Sequence, residues 1–212
     1  AIGAAGGHFP KLDWSPRPLR AKTTLQALGR GGEEAYALAV GVTGPALRAR
    51  LYSESARRTL AGYSAEERYV RTMRAAPARE PLDRAQYADI VHWLPGDILT
   101  KIDRTSMAVS LEAREPLLDH RLVEFAARLP VTMRLRAGGG KWLMKRAMRR
   151  YLPSEILDRP KMGFVTPIGA WFRGPLAGEA EAIAHGSALA ATGWFDSAAI
   201  AGLAAEHRGG RA

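Results

Sequence analysis

Proline residues divide this sequence into short segments, and most of these segments repeat apolar residues with the 3.6-residue period of a helix. Because proline lacks a backbone N–H and fixes φ, Pro130 is expected to end the helix before it, and Pro153 and Pro160 to bracket a short one. The alternation typical of strands is nearly absent. The spacing predicts helices over residues 21–28, 33–40, 45–52, 55–60, 65–74, 84–93, 97–109, 121–128, 141–150, 176–184 and 197–207. The fold class is therefore expected to be mainly α.

Two aspartates are candidate helix N-caps, because a carboxylate can accept hydrogen bonds from the free N–H groups of the first turn. Asp83 precedes the predicted helix over 84–93, and Asp119 precedes the one over 121–128. Both helices are expected to begin directly after these residues.

Pro95 is expected to interrupt the chain and to start a new helix that runs over 97–109. That helix carries apolar residues at many positions and is expected to be largely buried. Asp103 and Arg104 lie within it and are interpreted as a structural ion pair, since a buried charge needs a partner. Residues 133–136 alternate and are the best candidate for a strand.

The chain is expected to comprise an irregular lead-in over 1–20, a helical domain over 21–184 and a helical tail over 185–212. Large aromatic side chains are expected to fill a core or an interface. The candidates are Tyr87, Trp93, Phe125, Trp142, Trp171 and Phe172.

Composition excludes several classes of protein. With 47% hydrophobic and 25% charged residues, the 212-residue chain is an ordinary globular sequence. It has no cysteine, which excludes disulfides, thiolate metal sites and a cysteine nucleophile within these residues. No apolar run is long enough to span a membrane, and residues 1–10 lack the pattern of a signal peptide. A cytoplasmic protein that does not bind membranes is expected.

The chain carries 31 basic and 21 acidic residues, a net charge of +10. This excess favours anionic partners such as a nucleotide, pyrophosphate or an acidic substrate, although solvated helix faces would give the same count. Nucleic-acid binding would call for aromatic residues interleaved with a basic stripe, or for a known recognition motif. Neither is found, so no nucleic-acid partner is expected.

Three common catalytic or binding motifs are absent from the sequence. Residues 138–141 end in Gly-Lys like a phosphate loop, but Leu135 occupies the first glycine position and Trp142 follows the lysine. The five histidines lack metal-binding spacing, and no GxSxG nucleophile motif occurs.

Residues 94–173 hold two long stretches with a strong family signature, LPGDILTKIDRTSMAVSLEAREPLLDHRLVEFAARLP and GGGKWLMKRAMRRYLPSEILDRPKMGFVTPIGAWFRGPL. They resemble the synthetase domain of glutamine-dependent asparagine synthetases. The family pattern is LPxDxLxKxDRxSMAxSLExRxPxLDHxLVEFAxxLP, followed by GxGKxLLRxAxxxxLPxxxxxRPKxGFxxPxxxWxxGPL. Glu115 departs from it, because the family usually has valine there.

The resemblance implies a ligase that uses Mg²⁺ and ATP to adenylate aspartate, releases pyrophosphate and forms the amide with ammonia from a glutaminase domain. It implies the helical C-terminal part of an α/β adenine-nucleotide hydrolase-like (ATP-pyrophosphatase) domain, in a protein that can form a homodimer. The family's SGGxDS loop, GxxxDE segment and glutaminase cysteine do not occur in these 212 residues. The chain is therefore expected to be a fragment that is inactive alone.

The resemblance also implies roles for three residues. Lys161, in the RPKMGF stretch, would hold the pyrophosphate of ATP and stabilise the oxyanion as ammonia attacks. Glu112 would orient the substrate or accept a proton, unless it only forms an ion pair with Arg114 or Arg104. Arg114 is a candidate ligand for a substrate carboxylate.

Two other functions fit the same sequence. A synthetase of the same superfamily could close a β-lactam or form a peptide amide, since the acceptor pocket is not visible in these residues. A non-catalytic basic helical module that binds partners is the other alternative.

Overall fold

The computed structural model describes residues 31–136, 139–160 and 166–210, and most of these residues are helical. The predicted mainly α class is confirmed. Two predicted features lie outside the described residues: the lead-in over 1–20 and the helix over 21–28. No helix in the described ranges has the length and apolar character needed to cross a membrane.

Two compact units make up the chain. The described residues of the first are 31–37, 66–136 and 139–160, and those of the second are 38–65 and 166–210. The domain boundaries expected after residues 20 and 184 stay predictions.

The helices are short and follow one another closely. The first half contains α1 (Gly32–Val40), α2 (Pro45–Leu51), α3 (Glu54–Leu60), α4 (Ala65–Ala75), α5 (Pro81–Ala88), a π-helical segment (Asp89–Leu99) and α6 (Thr100–Met107). After a 3₁₀ turn (Pro116–Leu118) come α7 (His120–Ala127), α8 (Val131–Arg134), β1 (Leu135–Arg136), β2 (Gly139–Gly140), α9 (Trp142–Met148) and α10 (Ser154–Leu157). The remaining helices are α11 (Ile168–Arg173), α12 (Ala177–Ala184), α13 (Ser187–Ala191) and α14 (Ser197–Arg208).

A small core in the first unit joins α4 to α5. Met73, on α4, is 3% exposed and packs with Ala85 and the fully buried Ala88, on α5. Because alanine side chains are short, the two helices can approach closely enough to exclude water from the methionine. Tyr36 and Tyr69 cover this cluster.

Polar contacts tie α1 to the same core. The Tyr36 hydroxyl donates a 2.6 Å hydrogen bond to Asp89, and Arg84 lies 3.2 Å from the Glu33 carboxylate. Burial, and then the hydrogen bond to Asp89, raise the pKa of Tyr36 well above its ordinary value. The phenol therefore stays protonated and keeps its role as a donor at physiological pH.

Asp83 does not cap a helix, so the predicted N-cap is wrong. Helix α5 begins earlier, at Pro81, with Glu80 as its N-cap. A proline at the first helical position loses no hydrogen bond, which lets the helix start before the aspartate. Asp83 instead forms an ion pair with Arg134, which also donates a 2.7 Å hydrogen bond to Gln86.

The predicted interruption at Pro95 is also wrong. Helix α5, the π-helical segment and α6 form one continuous helical rod, with Pro95 inside it. The wider i→i+5 pattern of a π-helix accommodates the proline ring, and proline has no N–H to leave unpaired. The Thr100 hydroxyl donates a 2.6 Å hydrogen bond to the Pro95 carbonyl within the rod.

The helix over 97–109 is not buried in the described part of the chain, contrary to prediction. Met107 and Val109 are 54% and 74% exposed, and Asp103 and Arg104 are exposed as well. The apolar pattern marks a face suited to burial, but in the described part of the chain Ile98 and Ile102 on it are only half-buried. Nor do the predicted aromatic residues form a core: Tyr87, Trp93, Phe125, Trp171 and Phe172 are exposed and Trp142 is half-buried.

The strand prediction over 133–136 is correct for two of its four residues. Residues Val131–Arg134 form the short helix α8, and only Leu135–Arg136 is extended. This strand pairs antiparallel with Gly139–Gly140, so that Arg136 lies opposite Gly139. The hairpin leads directly into α9.

In the second unit, an ion pair joins α2 to α14. Arg50 donates to both carboxylate oxygens of Glu206, at 2.7 and 3.2 Å. Tyr52 and Phe195 form an isolated antiparallel bridge next to it. Paired charges and one bridge thus fix the ends of two helices that are far apart in sequence.

The contact between α4 and α5 gives a first prediction. Ala88→Leu would force a larger side chain into a fully buried position and should lower the free energy of unfolding by about 2 kcal/mol. Urea titration monitored by circular dichroism measures the change. Ala75→Leu, at an exposed position of α4, is the matched control and should change it by less than about 0.5 kcal/mol. Equal effects of the two substitutions would contradict the proposed packing.

Candidate active site

A tight turn at the end of α6 begins the candidate site. Ser110 has φ of 57°, in the left-handed region. The Leu111 N–H donates to the Ser106 carbonyl at 3.0 Å, and the Ser110 N–H donates to the Met107 carbonyl at 3.0 Å. These are the two bonds of a Schellman motif, which satisfies free carbonyls at a helix end and turns the chain away from the helix axis.

The turn leads into an extended segment that carries Glu112 and Arg114. Arg114 Nε lies 2.9 Å from Glu112 Oε1, and the two side chains are 83% and 67% exposed. The structure therefore brings these two predicted site residues together, as one of the sequence-based alternatives expected. Because the pair is open to solvent, either group can exchange its partner for a substrate at little cost.

Asp119 closes the segment and caps α7, as predicted. Its carboxylate accepts from the Arg121 backbone N–H at 2.9 Å and from the Arg121 guanidinium at 3.1 and 2.9 Å. The side-chain bonds and then the backbone bond hold the pKa of Asp119 below its ordinary value. Asp119 is thus a fixed anion that anchors the far end of the segment, and His120 next to it is exposed.

The third predicted site residue, Lys161, lies outside the described residues. The described ranges also contain no group of three or more acidic or histidine side chains that could hold a metal ion. These residues therefore do not fit a magnesium site.

Sequence reasoning missed two features of this segment. The left-handed turn falls on a serine, whereas glycine or asparagine would have signalled it. Arg121 was assigned to the helix alone, although an arginine two residues after an N-cap aspartate is within reach of its carboxylate.

Comparison with known proteins identifies the family of this chain. Residues 5–212 match the family Asparagine synthase. The match covers nearly the whole sequence, and the chain belongs to this family.

The relatives have names of the same kind. A Mycobacterium tuberculosis protein with the provisional name asparagine synthetase [glutamine-hydrolyzing] is 40% identical over 134 residues, which are 62% of this chain and 20% of that protein. Asparagine synthetase [glutamine-hydrolyzing] 1 of Bacillus subtilis is 38% identical over 92 residues, 43% of this chain and 15% of that protein. The chain thus spans about one fifth or less of the length of these relatives. No solved structure matches.

The turn at Ser110 gives a second prediction. Ser110→Gly should raise the free energy of unfolding by about 0.5–1 kcal/mol, because glycine adopts a positive φ without steric cost. Ser106→Gly, inside α6, is the matched control and should lower it by about 0.5–1 kcal/mol, because glycine is unfavourable in a helix. Urea denaturation distinguishes the two signs, and destabilisation by both substitutions would rule out the left-handed turn.

Proposed function

We propose that this chain supplies part of the active site of an ATP-dependent, glutamine-hydrolysing asparagine synthetase. The observation that carries the proposal is that Glu112 and Arg114, which lie in a stretch that matches the family pattern, form an exposed ion pair. The SLEAR stretch matches the family pattern, and the Schellman turn and the Asp119 cap hold it as an exposed, charged segment. A fixed segment with exchangeable charges is suited to binding an amino-acid carboxylate.

In this proposal the reaction has two steps. The aspartate side-chain carboxylate attacks the α-phosphorus of ATP, and pyrophosphate leaves to give an acyl-adenylate. Ammonia then attacks the acyl carbon, and AMP leaves with one of the original carboxylate oxygens.

Each of the three residues has a place in this scheme. Lys161 binds the departing pyrophosphate and stabilises the oxyanion formed by attack of ammonia, where a fixed cation is most effective. Arg114 binds a substrate carboxylate with its planar guanidinium. Glu112, released from Arg114, accepts a proton from the attacking ammonia.

The other parts of the enzyme belong to the same proposal. The ATP loop, the magnesium carboxylates and the glutaminase cysteine would come from segments beyond these 212 residues, because their motifs do not occur here. The described helices would pack against the parallel sheet of an adenine-nucleotide hydrolase-like domain. The chain alone would be inactive, and the whole protein would be a cytoplasmic enzyme able to form a homodimer.

Removal of Lys161 tests the proposed role most simply. In the protein that carries this chain, Lys161→Ala should reduce kcat/KM for aspartate-dependent pyrophosphate release at least about 100-fold, the usual cost of losing a charge-stabilising donor. A coupled pyrophosphate assay measures the rate. Arg79→Ala removes one exposed cation outside the motif and should retain at least half of the rate. Activity of Lys161→Ala within threefold of wild type would refute the role.

Glu112→Gln is expected to uncouple the two steps. Loss of the proton acceptor should slow asparagine formation about 100-fold, while adenylation continues and the adenylate is lost to water. Chromatographic measurement of both products should therefore show a ratio of pyrophosphate to asparagine well above one. Glu67→Gln, an exposed position of α4, is the control and should keep the ratio near one. An equal fall of both products in Glu112→Gln would contradict the assignment.

A further inference from the structure

The region around α9 is strongly basic. Residues 125–154 contain eight arginines and lysines and no acidic residue. Three of the eight form ion pairs with acidic residues elsewhere in the first unit: Arg128 with Glu124, Arg134 with Asp83 and Arg149 with Asp158. The other five have no ion pair with a described residue and are called here the α9 basic surface: Arg136, Lys141, Lys145, Arg146 and Arg150.

Aromatic rings hold three of these cations in place. The guanidinium carbons of Arg136 and Arg146 lie 5.1 and 5.5 Å from the centroid of the Trp142 ring. That of Arg150 lies 4.6 Å from the centroid of the Tyr151 ring. All three arginines are nevertheless exposed to solvent. Such cation–π contacts order the long side chains before any ligand binds.

The fold brings these groups together from separate elements. The β1–β2 pairing holds Arg136 opposite Gly139, just before α9 begins at Trp142, and Arg146 lies one turn further along the same helix. The sequence showed no basic stripe interleaved with aromatic residues, because Arg136, Trp142 and Arg146 are unevenly spaced. The β1–β2 hairpin brings Arg136 to the Trp142 ring despite this uneven spacing.

We propose that the α9 basic surface binds single-stranded nucleic acid. Guanidinium groups match phosphate oxygens with paired hydrogen bonds, and their planes stack on exposed bases. A flexible strand offers both groups along its length, and a positively charged surface that follows the backbone is typical of proteins that bind one.

A lipid surface fits these observations less well. Membrane binding through aromatic residues needs rings free to enter the interface. Trp142 is half-buried and has two guanidinium groups near its ring.

The residues chosen for substitution lie outside the fixed positions of the family pattern. Arg146 occupies a position that the pattern GxGKxLLRxA leaves open, whereas Lys141 occupies its lysine position and Lys145 its arginine position. The surface contains none of the residues assigned to catalysis. Loss of nucleic-acid binding should therefore leave pyrophosphate release unchanged.

Fluorescence anisotropy tests the proposal with fluorescein-labelled 20-nucleotide oligo(U) and oligo(dT) and the protein that carries this chain. At 50 mM salt we expect a Kd of about 10 µM or tighter, with a slope of log K against log salt of about −3.5, since each of five cations contributes about 0.7. Equal binding of both strands indicates that phosphates and bases are recognised, and preference for oligo(U) indicates that the 2′-hydroxyl or the absence of the thymine methyl group contributes. Either pattern supports the proposal.

Paired variants locate the site. Arg136→Gln/Arg146→Gln should weaken binding at least tenfold and make the slope shallower by about 1.4. Arg68→Gln/Arg71→Gln removes the same charge from exposed positions of α4 and should weaken binding less than threefold. Unchanged pyrophosphate release in the first variant would show that it folds.

Four results would overturn the proposal. The first is a Kd above about 1 mM for both strands at 50 mM salt. The second is an equal loss of affinity in the two double variants, and the third is equally effective competition by polyphosphate at matched phosphate concentration. The fourth is binding to phosphatidylserine vesicles without binding to either strand.

Discussion

Burial of Met73 against Ala85 and Ala88 is the contact that brings α4 and α5 together in the first unit. Ala88 is completely buried and Ala85 nearly so, which allows Met73 to be enclosed by two short helices. From this point the helical rod extends without interruption to Met107. Beyond Ala88, half of the apolar side chains of the rod are exposed and the others are half-buried in the described part of the chain.

The end of the rod determines where the candidate site lies. A left-handed serine terminates α6, an extended segment follows, and Asp119 starts the next helix with its carboxylate bound to Arg121. Glu112 and Arg114 lie between two fixed ends while their side chains stay in solvent. This combination of a backbone held at both ends and weakly held charges suits the substrate-binding role proposed for the pair.

Much of the secondary structure could be predicted from the sequence, because helical periodicity and capping are local. The predicted helix over 65–74 ends one residue before α4 does, and the one over 197–207 ends one residue before α14 does. The structure around Pro95 could not be predicted from the sequence, because proline ordinarily ends an α-helix and here a π-helical segment accommodates it. Burial of the rod was mispredicted because burial depends on what covers a face. At the site, the motif identified Glu112 and Arg114, but no local signal marked Ser110.

The proposed function requires that aspartate be activated by adenylation. Incubation of the protein that carries this chain with ATP, glutamine and aspartate labelled with oxygen-18 in its side-chain carboxylate tests it directly. Attack of that carboxylate on the α-phosphorus predicts that oxygen-18 appears in AMP, seen as a shifted phosphorus-31 resonance, with unlabelled pyrophosphate. Oxygen-18 in inorganic phosphate, accompanied by ADP, would show that the carboxylate attacks the γ-phosphorus and would contradict the proposed function.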